Sequence, residues 1–84
     1  MHVEFFGIPR ERAGISEVEV DAATLGEALT EVVKRFPALG EVITPAGLHP
    51  SISANLNGDL FVSDLNVVLD AADRLILLSA DAGG

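Results

Sequence analysis

The chain has 84 residues, 49% of them hydrophobic and 21% charged, which is the composition of one small globular domain and not of a disordered chain. A domain of this size buries only about 60–65% of its unfolded surface, which argues against a self-sufficient enzyme with a deep private cleft. The net charge of −8 argues against direct nucleic-acid binding and favours basic protein surfaces as partners. The alternative explanation is that the negative charge only keeps a small protein soluble.

The absence of cysteine and the hydropathy of the sequence argue against several further classes of protein. The sequence has no cysteine, so it offers no disulfide, no catalytic thiol and no cysteine-based metal site. Its start, "MHVEFF", lacks the basic region and apolar stretch of a signal peptide. No apolar run approaches the roughly 18 residues of a membrane span. We therefore expect a cytoplasmic protein without a membrane partner.

The N-terminal part predicts two antiparallel strands. In "HVEFFG" the apolar Val3 and Phe5 alternate with polar residues, and "ISEVEVDA" repeats that alternation. The segment "IPRERAG" between them contains Pro9 and Gly14, which are turn-forming residues. We expect a short connecting loop there and a hairpin overall.

The segment "TLGEALTEVVKRF" predicts the main helix. Thr24 and Glu27 have the spacing of a capping box, and Pro37 prevents continuation. Gly26 inside this helix predicts that another backbone passes close to it. Six apolar residues share one helical stripe: Leu25, Ala28, Leu29, Val32, Val33 and Phe36.

The C-terminal half predicts a long loop and three strands. Residues 37–50 are rich in Pro and Gly and leave room for a short helical turn around 41–43. "SISANLNGD" is a strand that ends in a hairpin turn at Asn57-Gly58, since both residues tolerate positive φ. "LFVSDLNVVLDAAD" is a short strand with an irregular return, and "RLILLS" is the last strand.

These elements predict an α+β fold. One helix packs across a mixed four- to five-stranded sheet, with the first and last strands parallel at its centre. The domain covers residues 1–78, and residues 79–84 form a flexible C-terminal tail.

Catalytic constellations are missing from the sequence. Neither phosphate-binding glycine motif occurs, so the chain should not hold ATP by itself. His2 and His49 are expected on the surface, with no carboxylate at ligand spacing. The acidic segment "DLNVVLDAAD" faintly resembles a calcium loop, but turn and capping roles explain its carboxylates more simply: Asp64, Asp70 and Asp73.

The remaining candidate is the terminal Gly83-Gly84 pair. Without side chains, these residues can pass a constriction that any Cβ would block. The reactive group is then the α-carboxylate of Gly84, a poor electrophile until it is activated, for example as a mixed anhydride with AMP. Since the chain has no ATP site, a partner must perform the activation.

The whole chain resembles the MoaD/ThiS group of sulfur carriers, small proteins of the ubiquitin-like β-grasp fold. The resemblance lies in "VEFFGIPRERAG", "TLGEALTEVVKRFPAL", "ANLNGDLF" and the terminal "AGG". It implies that an E1-like enzyme adenylates Gly84, using ATP, and that sulfur transfer then yields a thiocarboxylate, with Gly83 entering the partner's channel. The chain's length is more similar to the molybdopterin synthase small subunit, and the large subunit is then a partner.

The sequence departs from the family pattern at two places, and these departures bear on which pathway receives the sulfur. Ala72 stands where the family often has glycine, and Ser79-Ala80 where it commonly has proline. The resulting tail is expected to be less stiff, and Asp81 adds a charge near its reactive end. Alternatives stay open: a carrier for cysteine, thiazole, siderophore or tRNA thiolation, a protein modifier, or a binding module with an idle tail.

Strand alternation also predicts a docking surface beside the tail. If Leu75 and Leu77 face the helix, Ile76 and Leu78 lie on the open face of the sheet, and Phe6 of the first strand points the same way. An exposed apolar patch of this kind is typical of partner binding. We expect Phe6, Ile76 and Leu78 to contact the partner unless the long loop covers them, and Asp81 to pair with a basic group near its channel.

Overall fold

The computed structural model describes residues 1–80 of the chain. In chain order its elements are β1 (His2–Phe5), α1 (Gly7–Ala13), β2 (Glu17–Glu19), α2 (Leu25–Arg35), a 3-10 helix (Pro37–Glu41), β3 (Ile43–Thr44), β4 (Gly47–Leu48), β5 (Ile52–Leu56), β6 (Leu60–Val62) and β7 (Arg74–Ser79).

Five of the strands form one mixed sheet in the order β2-β1-β7-β5-β6. β1 and β7 are parallel at its centre, and the other pairings are antiparallel. The α+β prediction of a β-grasp with a four- to five-stranded sheet is therefore confirmed. β3 and β4 pair separately, in a small hairpin that the sequence did not predict.

The main helix begins and ends as predicted. The Thr24 Oγ1 accepts the Glu27 backbone N–H at 3.2 Å, and the Glu27 carboxylate accepts the Ala23 N–H at 3.3 Å. The first bond satisfies a donor that the first helical turn leaves free, and the second satisfies the N–H of the residue just before the cap. The apolar stripe packs on the sheet, where the rings of Phe5 and Phe36 meet edge to face with centroids 5.6 Å apart.

Gly26 has the close neighbour that the sequence predicted. Its N–H donates to the Leu65 carbonyl oxygen at 2.9 Å, and a Cβ on Gly26 would lie only 3.2 Å from that oxygen. Leu25 likewise donates to Val67 at 2.9 Å. The irregular segment after β6 therefore caps the start of α2 from outside the helix.

The predicted loop at "IPRERAG" is wrong, because these residues form α1. Pro9 lies in the first turn, where its missing N–H costs nothing, and it is buried. Gly14 ends the helix in the left-handed conformation, with its N–H donating to the Arg10 oxygen at 2.9 Å. Proline and glycine thus mark the two ends of a helix, and β1 and β2 still pair as predicted.

The helical turn predicted around residues 41–43 lies earlier, at Pro37–Glu41. Pro37 starts this 3-10 helix, and burial of Leu39 fixes it against the core. Ile43 is also buried, so the long connection contributes to the core.

β7 and its pairing with β5 extend through Ser79, one residue beyond the domain boundary predicted at 78. Within residues 1–80, no helix is long and apolar enough to cross a membrane.

Candidate functional site

The two faces of the central strand β7 differ as the alternation predicted. Leu75 and Leu77 are completely buried on the helix side. Ile76 and Leu78 point away from the helices and are partly exposed. The 3-10 helix of the long connection packs against α1 and α2, so this part of the connection does not cover the open face.

An apolar patch of four residues marks one part of the open face: Phe6, Phe61, Ile76 and Leu78. Phe6 is 48% exposed and Phe61 is 67% exposed. The Phe6 N–H donates to the Leu77 oxygen at 2.9 Å, which fixes Phe6 beside the end of β7. The patch therefore lies at the end of the sheet from which the chain continues toward residue 84.

The sequence prediction missed Phe61, and the reason is register. The Asp59 N–H closes the predicted turn on the Leu56 oxygen at 3.1 Å, and Asn57 and Gly58 have positive φ of 59° and 79°. However, Leu56 pairs with Leu60 and leaves Asp59 as an extra loop residue. A shift by one residue exchanges the faces of a strand, so Phe61 is on the open face opposite Asn55. The extra residue is typical of three-residue hairpin loops, which was the available signal.

A charged cluster occupies the β1–β2 side of the same face. The His2 Nδ1 lies 2.9 Å from a Glu19 oxygen and its Nε2 lies 3.3 Å from Glu17. The Glu19 hydrogen bond raises the pKa of His2 and, reciprocally, lowers the pKa of Glu19. Arg74 is 3.8 Å from Glu4 on the neighbouring strand. His2 is half-exposed, and strand pairing supplies the carboxylates that its sequence neighbourhood did not predict.

Asn55 is a buried polar residue within the apolar patch. It is only 9% exposed, and its Oδ1 has no hydrogen-bond partner among the residues that the structure describes. Its neighbours across the sheet are Ile76 and Phe61 of the apolar patch. A buried acceptor without a donor costs roughly 1–3 kcal/mol, so this position is not optimised for the isolated domain.

Two of the three carboxylates of the suspected calcium loop, those of Asp64 and Asp73, have the simpler local roles that the sequence favoured. The Asp64 Oδ1 accepts the Asn66 N–H at 2.9 Å, and the Asp73 Oδ2 accepts the Asp70 N–H at 2.7 Å. Bonds from Asn57 and Asp70 lower the pKa of Asp73. In the described part of the chain, no group of three or more potential ligands could hold a metal ion.

The remaining predicted site residues, Asp81, Gly83 and Gly84, lie outside the described residues. Their roles stay predictions. The structure does describe the segment that leads to them, through Ser79 and Ala80, and it brings that segment to the edge of the apolar patch.

Known proteins share this architecture over nearly their full length. The SAMP1 structure from Haloferax volcanii is 32% identical, with a TM-score of 0.82, covering 100% of this chain and 98% of that one. A chain of the BexX/CysO complex from Amycolatopsis orientalis is 28% identical, with a TM-score of 0.80 and coverages of 99% and 98%. A putative molybdopterin converting factor subunit 1 from Pyrococcus furiosus, 23% identical with a TM-score of 0.77 and 93% coverage of both chains, shares the fold.

Family membership rests on the sequence as well. A comparison with curated proteins gives no match. The family model described as "ThiS family" matches residues 3–84, which is nearly the whole chain. The chain belongs to the ThiS family of ubiquitin-like sulfur carriers.

Proposed function

We propose that this chain carries sulfur on the carboxylate of Gly84. An E1-like enzyme joins that carboxylate to the AMP portion of ATP and releases pyrophosphate. A hydrosulfide equivalent then attacks the acyl carbon, forms the C–S bond and displaces AMP, which leaves a thiocarboxylate after loss of the proton. Gly83 lets the terminus enter a narrow channel, because it has no Cβ. The match to the ThiS family over residues 3–84 carries the proposal.

The proposed acceptor is a pterin precursor held by the large subunit of molybdopterin synthase, with this chain as the small subunit. The chain is then a protein co-substrate and not a stand-alone catalyst. Its length supports this pathway, and the fold shared with the Pyrococcus furiosus protein is consistent with it.

The apolar patch is the proposed docking surface for both partners. Two of its members are aromatic and about half or more exposed, and aromatic side chains contribute strongly to interfaces. The net charge of −8 favours a partner with basic groups around an apolar centre. Asp81 is the proposed ion-pair partner of one such group near the channel.

The decisive experiment is mass spectrometry of the intact protein isolated cold, under non-reducing conditions, from its own cells. A population heavier by one oxygen-to-sulfur exchange, localised to the peptide containing Gly83-Gly84, is expected. Incubating that form with the molybdopterin synthase large subunit and its pterin precursor should return the plain carboxylate. A carboxylate that persists in every molecule after addition of ATP, an E1-like enzyme and a sulfur donor would contradict the carrier function.

Leu78→Asp tests the docking surface. It places a charge in the apolar patch and should abolish binding to the E1-like enzyme while the domain stays folded. Val68→Asp is the matched control, since Val68 is 78% exposed and pairs with Thr24 at the start of α2, away from the patch. General unfolding of Leu78→Asp, or equal binding losses in both variants, would remove the docking assignment.

A protein modifier is the second candidate, favoured by the 32% identity to SAMP1 from Haloferax volcanii, whose counterpart from Methanosarcina acetivorans is described as a small archaeal modifier protein. In that case Gly84 forms isopeptide bonds with lysines of other proteins. Lys34 is the chain's single lysine, so self-linked chains would branch only there. Conjugates resolved by mass spectrometry distinguish this function from sulfur delivery to molybdopterin or to cysteine, thiazole or tRNA thiolation. One extra residue after Gly84 should abolish carrier and modifier activity alike.

A further inference from the structure

The segment Phe6–Ile8 joins β1 to α1 and includes the first two residues of α1; we call it the turn after β1. It contacts both the apolar patch and the end of β7. Phe6 belongs to the patch, and its N–H donates to Leu77. Two residues later, the Ile8 N–H donates to the Ser79 Oγ at 2.8 Å. Ser79 is the last residue of β7. One short turn thus connects the proposed docking surface with the point where the chain leaves the sheet.

Gly7 makes the contact with Ser79 sterically feasible. Its φ is +57°, a conformation that side chains of other residues disfavour. A Cβ built on Gly7 would collide with the Ser79 Oγ and come close to the Ser79 Cβ and N. The glycine between Phe6 and Ile8 therefore lets the end of β7 lie directly against the turn.

A second hydrogen bond holds the next residue from the other side. The Ala80 N–H donates to the Ser51 oxygen at 2.7 Å. The Ser51 N–H in turn donates to the His49 Nδ1 at 3.0 Å, and the Ser51 Oγ lies 2.7 Å from the same nitrogen. Chain ends fray unless such bonds restrain them. Here the restraint continues past the last strand residue.

We infer that Ser79 is a positioning residue, which fixes the direction in which the chain leaves the sheet relative to the apolar patch. This inference rests on the proposed function. When an enzyme binds the patch, the direction at Ser79 and Ala80 determines how often Gly84 reaches the activating site in productive alignment. The sequence predicted a less stiff tail because Ser79-Ala80 stand where the family commonly has proline. Side-chain and backbone hydrogen bonds supply a restraint by different means.

The kinetic consequence separates positioning from docking. A group that aligns the reacting end affects turnover in the bound complex, because a misplacement of about 1 Å can cost up to roughly a hundredfold in rate. A group that only binds affects the concentration needed for half-maximal rate. Substitution of Ser79 should therefore lower kcat, and substitution of Phe6 should raise KM.

The first test uses hydrogen exchange in the free protein. Ser79→Ala removes the acceptor of the Ile8 N–H, so exchange at the amide of Ile8 should accelerate about tenfold, as expected for loss of one hydrogen bond. The amide of Leu77, which lies in the buried centre of β7, should keep its protection. Unchanged exchange at Ile8, or equal acceleration throughout the core, would overturn the local restraint.

The second test measures ATP–pyrophosphate exchange by the E1-like enzyme of the same genome, as a function of carrier concentration. Ser79→Ala should lower kcat about tenfold with KM within about twofold of the wild type, whereas Phe6→Ala should raise KM. Ser16→Ala is the control, since Ser16 is exposed and its hydroxyl makes no hydrogen bond among residues 1–80. It should change neither parameter.

The outcomes distinguish this inference from the function on which it rests. If the wild-type chain supports no exchange, the proposed function fails and the positioning role fails with it. If the wild type is active and Ser79→Ala has the same kcat, or differs only in KM, the positioning role alone is overturned.

Discussion

The helix side and the open side of the sheet are built from alternate residues of the same strands, yet they have different physical tasks. On the helix side Val3, Phe5, Leu75 and Leu77 are completely excluded from water. On the open side, polar and charged residues surround an exposed apolar patch and the buried Asn55 amide. Burial of apolar side chains on the helix side therefore supplies most of the stability, which leaves the composition of the open side free to serve recognition.

Leu77 and Leu78 give the largest expected contrast between the faces. Leu77→Ala should lower the free energy of unfolding by about 2–5 kcal/mol, because it opens a cavity in a fully packed site. Leu78→Ala should cost about 1 kcal/mol or less, since this residue is partly exposed. Urea denaturation with circular dichroism measures both. Equal losses would show that the open face is also structural core.

Gly7 and Gly14 lie at the two ends of α1, and both have positive φ. Gly14→Ala should cost about 1–2 kcal/mol, the strain of a left-handed non-glycine residue, because nothing lies within 4 Å of the new Cβ. Gly7→Ala has the same strain at φ +57° and also collides with Ser79, so it should cost more. The difference between their unfolding free energies measures the contact with Ser79. A smaller loss for Gly7→Ala would contradict that contact.

A substitution at Asn55 tests whether a residue of the open face lowers the stability of the domain. Asn55→Leu should raise the free energy of unfolding by roughly 1 kcal/mol, because it removes a buried acceptor that has no described donor and adds apolar contact with Ile76 and Phe61. Ser53→Ala, two residues earlier on the same face, is the control and should have little effect. Urea denaturation measures this change as a shift of the midpoint concentration, with the slope m of the unfolding free energy against urea unchanged. Destabilisation by Asn55→Leu would show that the amide is already satisfied.

His2 gives the smallest effect, and it depends on pH. Because the pKa of His2 is raised above its ordinary 6.5, its contribution is complete below pH 6.5 and is lost as pH rises through the folded-state pKa. The pKa of Glu19 is lowered from 4.5, so its contribution is present above pH 4.5 and is lost as pH falls through its folded-state pKa. A double-mutant cycle of His2→Gln and Glu19→Gln should thus show coupling between pH 4.5 and 6.5.

The control for this cycle is the same set of proteins in alkaline buffer. The coupling should be clearly smaller there, at about pH 9, because neutral imidazole no longer forms an ion pair with the carboxylate and keeps only the hydrogen bond from Nδ1. A coupling that is independent of pH would mean that the contact is not an ion pair.

Local signals in the sequence were reliable where neighbouring residues decide the structure. Thr24, Glu27 and Pro37 define the limits of α2, since capping and the missing proline N–H act within one turn. The alternation in β7 separates Leu75 and Leu77 from Ile76 and Leu78 in the same way. Proline and glycine in "IPRERAG" were ambiguous, because Pro9 suits a first helical turn as well as a loop, and burial against the core decided between them.

The sequence by itself determined the fold class, the main helix and the parallel centre of the sheet, because these follow from hydrophobic periodicity, capping, turn chemistry and the crossover rule. The likeness to sulfur carriers was visible as a resemblance of whole segments to a known family. Only the tertiary structure decided which side chains meet. The extra residue Asp59 moved Phe61 to the open face, strand pairing brought Glu17 and Glu19 to His2, and the turn after β1 brought Ile8 to Ser79. The contacts of His2 and of Ser79 join distant parts of the chain, and their geometry depends on strand register and packing that no local pattern encodes. The position of Phe61 depends on the register of its own hairpin, which the loop length sets.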